Sequence, residues 1–226
     1  MTQTMQRWSM DALGRENLNL IQAPVPQPGP GEVRVRVNAV ALNYRDKMVI
    51  EGTMPIALSF PFTPASDMAG VVESTGEGVT RFKPGARVIS TFFPEWIDGR
   101  PASDARTLPY KTTGGYFQGM LAEYVVVNEN WLVAAPETLD DAEASTLPCA
   151  GLTAWFALVE RGHLHAGQSV LVQGTGGVAL FALQIAKAHG AEVIVTSGSD
   201  EKLARAKKLG ASQGINRVKG DCAENT

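Results

Sequence analysis

Two hydrophobic periods divide the chain. Residues 32–42, EVRVRVNAVAL, alternate apolar and polar positions, as a strand with one buried face requires. Residues 18–23 form a second candidate strand, closed by the proline–glycine turn PVPQPGPGE. Residues 70–74, 87–91 and 121–127 are further predicted strands, with TGEGVTRFKPG as turn and loop between the first two. Residues 44–50 suit a short helix. Residues 91–119 read as a loop carrying Phe92, Phe93, Trp96, Tyr110, Tyr116 and Phe117, which would either line a substrate pocket or pack on the surface.

After Pro136 the period changes to alternating helix and strand. Residues 140–146 and 151–161 are predicted helices. Val170, Leu171 and Val172 form an apolar run suited to a buried parallel strand. Val178, Phe181, Ala182, Ile185 and Ala186 fall at i, i+3, i+4, i+7 and i+8, predicting a helix with that face buried. Residues 191–196 and 213–216 read as the next two strands. The expected architecture is therefore a β-rich domain over residues 1–131 and a parallel α/β domain over 132–226, partial and doubly wound.

Between the strand at 170–172 and its helix lie Gly174, Thr175, Gly176, Gly177, Val178 and Ala179, a G-x-G-x-x-A turn. Gly174 permits a tight turn, Gly176 lets a pyrophosphate approach the backbone, and Ala179 lets helix and strand pack closely. The helix N-terminus then offers free N–H groups to phosphate. The βαβ context lifts this match above a chance glycine pair. An NAD site usually ends the following strand in an acid that bonds the ribose 2′-hydroxyl. Here that strand ends Thr196-Ser197-Gly198-Ser199, with Lys202 beyond, so the expected cofactor is NADP: two hydroxyls and an ammonium suit a 2′-phosphate. Arg205 is a more distant candidate. The plainer alternative is that Ser199 caps a helix and Lys202 is solvated.

Composition adds exclusions. The net charge of −3 gives no electrostatic case for binding nucleic acid. The N-terminus lacks the apolar core of a secretory signal, and no apolar run is long enough to span a membrane. Two cysteines, Cys149 and Cys222, suggest no disulfide framework, so a cytoplasmic location is expected.

The order of these pieces resembles the medium-chain dehydrogenase/reductase superfamily. The matching stretches are PGPGEVRVRVNAVALNYRD (28–46), PASDMAGVVESTGEGVTRFKPGARV (64–88), GGYFQGMLAEYVVV (114–127), LPCAGLTAWFAL (147–158) and the glycine turn. The resemblance implies a GroES-like β domain followed by a Rossmann domain. Zinc-dependent members place metal ligands where this chain has Asn43, Ser66 and Cys149, and only Cys149 could be a good ligand. No structural zinc lobe is expected either, since residues 91–119 contain no cysteine. Cys149 is then simplest as a small buried residue.

The zinc-free relatives implied are quinone and enone reductases, which pass a hydride from NADPH to an electron-poor C=C bond or quinone. Several carry a tyrosine after the N-x-x-D motif. The matching positions here are Met48 and Met54, so Tyr44, Lys47 and Asp67 become the candidate catalytic groups. Tyr44 could instead pack in the core beside the cleft, and Asp46 and Asp67 could be supporting groups.

The family's chains run longer. This one ends soon after its third apparent Rossmann strand, where a full domain has about six, and its tail, VKGDCAENT, is polar. Truncation, or a junction near Arg217, is expected. An unfinished sheet leaves an open edge, which predicts a homo-oligomer. Two alternatives stay open: an ester hydrolase, with Ser199 to Lys202 matching S-x-x-K and three histidines available, or a non-catalytic nucleotide-binding protein. No G-x-S-x-G elbow supports the hydrolase. The three histidines, His163, His165 and His189, suit surface or helix-capping roles.

Overall fold

The structure, a computed structural model, describes residues 3–99 and 111–219. The chain divides into two compact units, Met1–Cys149 and Ala150–Thr226. Tyr110 and Cys222 lie outside the described residues. Among those described, no helix is long and apolar enough to cross a membrane.

In the first unit, β1 (Thr4–Met10) and β2 (Leu18–Pro24) form an antiparallel hairpin. β3 (Glu32–Ala41) leads to the short helix α1 (Tyr44–Ile50), then β4 (Asp67–Thr75) and β5 (Arg87–Ser90). β6 (Tyr124–Asn128), β7 (Leu132–Ala134) and the turn-length helix α2 (Asp141–Ala144) follow. The five-stranded sheet has the order β6-β3-β4-β5-β7, all antiparallel. Alternation along β3 fixes its face: Val33 and Val35 are fully buried with Met68, Val72, Val88 and Leu132, while Arg34 turns outward to Glu73.

The pattern did not anticipate β1, whose polar residues hide its period. Isolated bridges link it to Ala122, just ahead of β6, and to Phe62. The strand expected from residue 121 begins at Tyr124, because Leu121 and Glu123 bond instead to Trp8 and Gln6 of β1. β4 starts three residues earlier than expected, which places Asp67 at its first position. The boundary drawn after Trp131 falls ahead of the observed division, since β7 pairs with β5 and stays in the first unit.

The second unit opens with α3 (Leu152–Trp155), which passes into wide π-type turns at Phe156–Arg161. β8 (Ser169–Gln173), α4 (Gly177–Ala188), β9 (Glu192–Ser197), α5 (Asp200–Lys208) and β10 (Gln213–Asn216) follow. The strands form a parallel sheet ordered β10-β9-β8, a Rossmann-type fragment. Its core joins Val172, Val193 and Val195 to Leu183, Ala186, Leu203 and Ala206. The buried face of α4 is rotated from the expected one. Leu183 and Ala186 are fully buried, with Ala179 and Ala182 packed beside them, whereas Val178 is 43% exposed. The alanines let the helix approach the sheet closely around Leu183, the large side chain buried on that face.

Candidate functional site

Each unit carries its own cluster. In the second, the glycine turn sits between β8 and α4. Gly174 has φ +93°, a conformation that favours glycine, and its N–H donates to Thr196 O at 2.9 Å, tying the turn to β9. A Cβ at Gly174 or Gly176 would meet nothing within 4 Å, so the space before the turn is open. Gly176 is the N-cap of α4 and supplies no side-chain cap. The first N–H groups of α4 therefore lack a side-chain acceptor and suit an anion. These observations fit a dinucleotide pyrophosphate held by Gly174, Thr175, Gly176, Gly177 and Val178.

At the end of β9, Ser197 is buried and its Oγ accepts from Ser199 N at 3.3 Å. Ser199 caps α5 by accepting from Lys202 N at 3.4 Å, so the capping role foreseen for it is present. Its hydroxyl hydrogen remains available to a ligand. Lys202 is exposed, and no carboxylate among the described residues pairs with it. Arg205 is engaged by Glu201 at 2.9 Å. The sequence reading missed Arg217. Its N–H donates to Ser197 O at 3.0 Å, and a Cβ at Gly198 would lie 3.8 Å from its Nε. The signal was the register of β10, which pairs Asn216 with Ser197 and so brings the next residue to the same strand end. The acid at this end, Asp200, accepts from Asn216 and pairs with Lys219 at 2.6 Å. Those contacts, Lys219 first, hold its carboxyl below the usual range.

In the first unit, the cluster surrounds the start of α1. Asn43 is the N-cap, and its N–H donates to Asp46 Oδ2 at 2.7 Å within a capping box. Asp46 is 3% exposed, and burial pushes its carboxyl up to about 6, partly offset by that hydrogen bond and by Arg45. Asp67 is fully buried. Its Oδ1 accepts from Ser66 Oγ at 2.5 Å and its Oδ2 from Cys149 N at 2.9 Å. Burial raises this carboxyl too, against those hydrogen bonds. Arg45 reaches the Thr113 and Gly114 carbonyls at 3.2 and 3.1 Å, also bonds Thr112, and stacks over Phe92. Asn43 Nδ2 is buried, and the Asn43 side chain also acts to lower the Asp67 carboxyl.

The glycines of 114–119 explain how this cluster is held. Ala65 adopts φ +71°. A Cβ on Gly114 would sit 2.5 Å from the Ala65 backbone, and one on Gly119 would sit 2.2 Å from Pro64 O. Only glycine lets the two segments meet, and their meeting fixes Ser66 and Asp67.

The three candidate catalytic residues do not form one group. Tyr44 is 75% exposed, so it is not packed in the core. Lys47 lies 5.7 Å from the Tyr44 ring and pairs with Glu51 at 2.7 Å. Asp67 belongs instead to the buried network of Ser66 and Cys149. Cys149 is half-buried rather than buried. Ring nitrogens of His165 and His189 contact the Ala166 and Ile185 carbonyls, and among the described residues no serine hydroxyl is hydrogen bonded to a histidine.

Residues 29–137 match the alcohol dehydrogenase GroES-like domain, and residues 177–226 the zinc-binding dehydrogenase family. A zinc-type alcohol dehydrogenase-like protein of Schizosaccharomyces pombe is 45% identical over 80% of this chain and 52% of its own. A quinone oxidoreductase of Rattus norvegicus is 36% identical over 80% of this chain and 47% of its own. The chain thus spans about half the length of these curated relatives. The solved structure of an alcohol dehydrogenase candidate from Sinorhizobium meliloti superposes with a TM-score of 0.95 at 62% identity, over 99% of this chain and 66% of that one.

Two of these descriptions name zinc, and the donors here do not fit it. Ser66 spends its hydroxyl on Asp67, both Asp67 oxygens already accept hydrogen bonds, and Asn43 is a poor ligand. Among the described residues no group of three or more His, Cys, Asp or Glu could hold a metal ion, whereas zinc takes three or four protein donors.

Proposed function

Because the chain belongs to the medium-chain dehydrogenase/reductase superfamily, we propose that it serves hydride transfer from NADPH to a quinone or another conjugated, electron-poor double bond. The family uses a nicotinamide cofactor. The choice of NADPH rests on one observation: β9 ends in Ser197-Gly198-Ser199 with Lys202 and Arg217 beside it, and its nearest acid, Asp200, is already paired with Lys219. A 2′-phosphate placed there meets two cations and a hydroxyl rather than a carboxylate.

NADPH bound at the glycine turn supplies the hydride. The protein's part is to orient and to stabilise charge. In the first unit, the exposed Tyr44 hydroxyl is a donor available to an enolate-like oxygen. Lys47 lies 5.7 Å from the Tyr44 ring, but its charge is largely offset by Glu51 at 2.7 Å, so it holds the end of α1 rather than supplying a free cation. Asp67 is a positioning residue, because its hydrogen bonds from Ser66 and Cys149 N–H brace the segment beside α1. The conjugated acceptor is already polarised, so no Lewis acid is needed. Absorbance at 340 nm, following NADPH consumption with quinones and enones, tests this reading. Turnover of a quinone, reduced by Tyr44→Phe, is expected. Oxidation of simple alcohols with NAD, and no quinone turnover, would overturn it.

A further inference from the structure

The hairpin β1–β2 covers a cavity of about 360 Å³ in the first unit, away from the cluster around α1. Its walls are largely apolar and aromatic, including Met5, Phe117, Met120, Tyr124 and Trp131. Phe117 and Trp131 stack with centroids 4.7 Å apart. The volume lies within the range of small-molecule sites.

One feature of the lining is out of keeping with a packing void. Arg7 follows Met5 and precedes Ser9 on the inward face of β1, and both of those are buried. Its Nε is buried with no hydrogen-bond partner, and no carboxylate among the described residues pairs with its guanidinium. A buried, unpartnered donor on a cation is costly unless something satisfies it. Among the described residues no Asp or Glu lines the cavity. Arg7 also borders a neighbouring hollow that Glu123 lines, but the Glu123 carboxylate is taken there by the backbone, its Oε2 accepting from Gln6 N at 2.6 Å. Thr63 and Tyr124 bring hydroxyls to the lining, and the amide there, Gln118, is committed at both ends: its Oε1 accepts from Thr63 N and its Nε2 donates to Pro61 O.

We propose that this cavity binds a small apolar monocarboxylate, with its carboxylate on the Arg7 guanidinium and its hydrocarbon body against Phe117, Tyr124 and Trp131. A planar carboxylate matches the guanidinium fork. A single cation in an apolar cavity neutralises one negative charge, so a dianionic phosphate would leave a buried excess. The site is separate from the glycine turn, so it stands or falls independently of the reductase reading.

Calorimetric titration of the chain with 3-phenylpropionate, and with its neutral amide, tests this. Saturable one-site binding of the acid is expected, with the amide weaker by about 10-fold or more. Arg7→Gln should lower affinity for the acid by about 10- to 100-fold, and Arg7→Lys by less, because it keeps the charge but loses the fork. No saturable binding, equal affinity for acid and amide, or full affinity in a folded Arg7→Gln variant would each overturn the proposal. Should Arg7→Gln fail to fold, the acid–amide comparison on the unaltered chain decides.

Discussion

Replacing Asp46 by Asn should stabilise the first unit at neutral pH. Asp46 is 3% exposed, and its carboxyl is pushed from 3.8 to about 6. Its folded-state pKa thus exceeds its unfolded value. Its contribution is fully present below about pH 4 and is lost as pH rises through about 6. The difference of about 2 pKa units, at 1.36 kcal/mol each, sets the cost of holding Asp46 ionised at about 3 kcal/mol. Asn removes that cost. Its Oδ1 can still accept from Asn43 N–H, so the cap survives, while the 3.7 Å contact with Arg45 loses its charge. The net expectation is a gain of about 1–3 kcal/mol near pH 7.5, shrinking towards zero near pH 4. Other carboxylates work in the opposite sense: hydrogen bonds from Asn38 and Arg87 hold Asp141 low, so it loses stability as pH falls. The informative quantity is therefore the difference between variant and parent, from urea unfolding followed by tryptophan fluorescence at each pH. A variant less stable than its parent near pH 7.5, or a difference that does not change with pH, would refute the argument.

Gly114→Ala should cost roughly 2–4 kcal/mol, since it places a side chain at φ +59° and drives Cβ into the Ala65 backbone; thermal unfolding within 1 kcal/mol of the parent would contradict this. Purified protein should contain no stoichiometric zinc, and elemental analysis finding one zinc per chain, lost in Cys149→Ala, would show that the donor argument fails. The isolated chain should self-associate, because the outer edge of β8 is unpaired among the described residues and Leu171 is 53% exposed; a monomer by light scattering would count against it.

Much of the fold was legible because burial enforces a period. β3 alternates, β8 and β9 are apolar, and the glycine turn lies between strand and helix, as read. β1 escaped because Gln6 and Arg7 break its pattern, and its partners at 121–123 pair irregularly. The face of α4 was placed slightly off: Ala182 and Ala186 pack inward as expected, but Leu183 and Ala179 join them while Val178 stays exposed. The buried network was the least legible part. Asp67 depends on Cys149 N–H, 82 positions along the chain, and Arg45 depends on carbonyls 68 and 69 positions away. No local pattern encodes such distances. Arg217 shows the same limit, since only the register of β10 brings it to the end of β9.

The relative affinity of the chain for NADPH and NADH tests the central claim most directly. The two cofactors differ only in the 2′-phosphate, so their ratio isolates the end of β9 from the rest of the fold. The account predicts that NADPH binds more tightly by on the order of 10- to 150-fold. Lys202→Ala and Arg217→Ala should each erode that ratio while leaving NADH affinity unchanged. Equal affinities in the parent chain, or tighter binding of NADH, would contradict it.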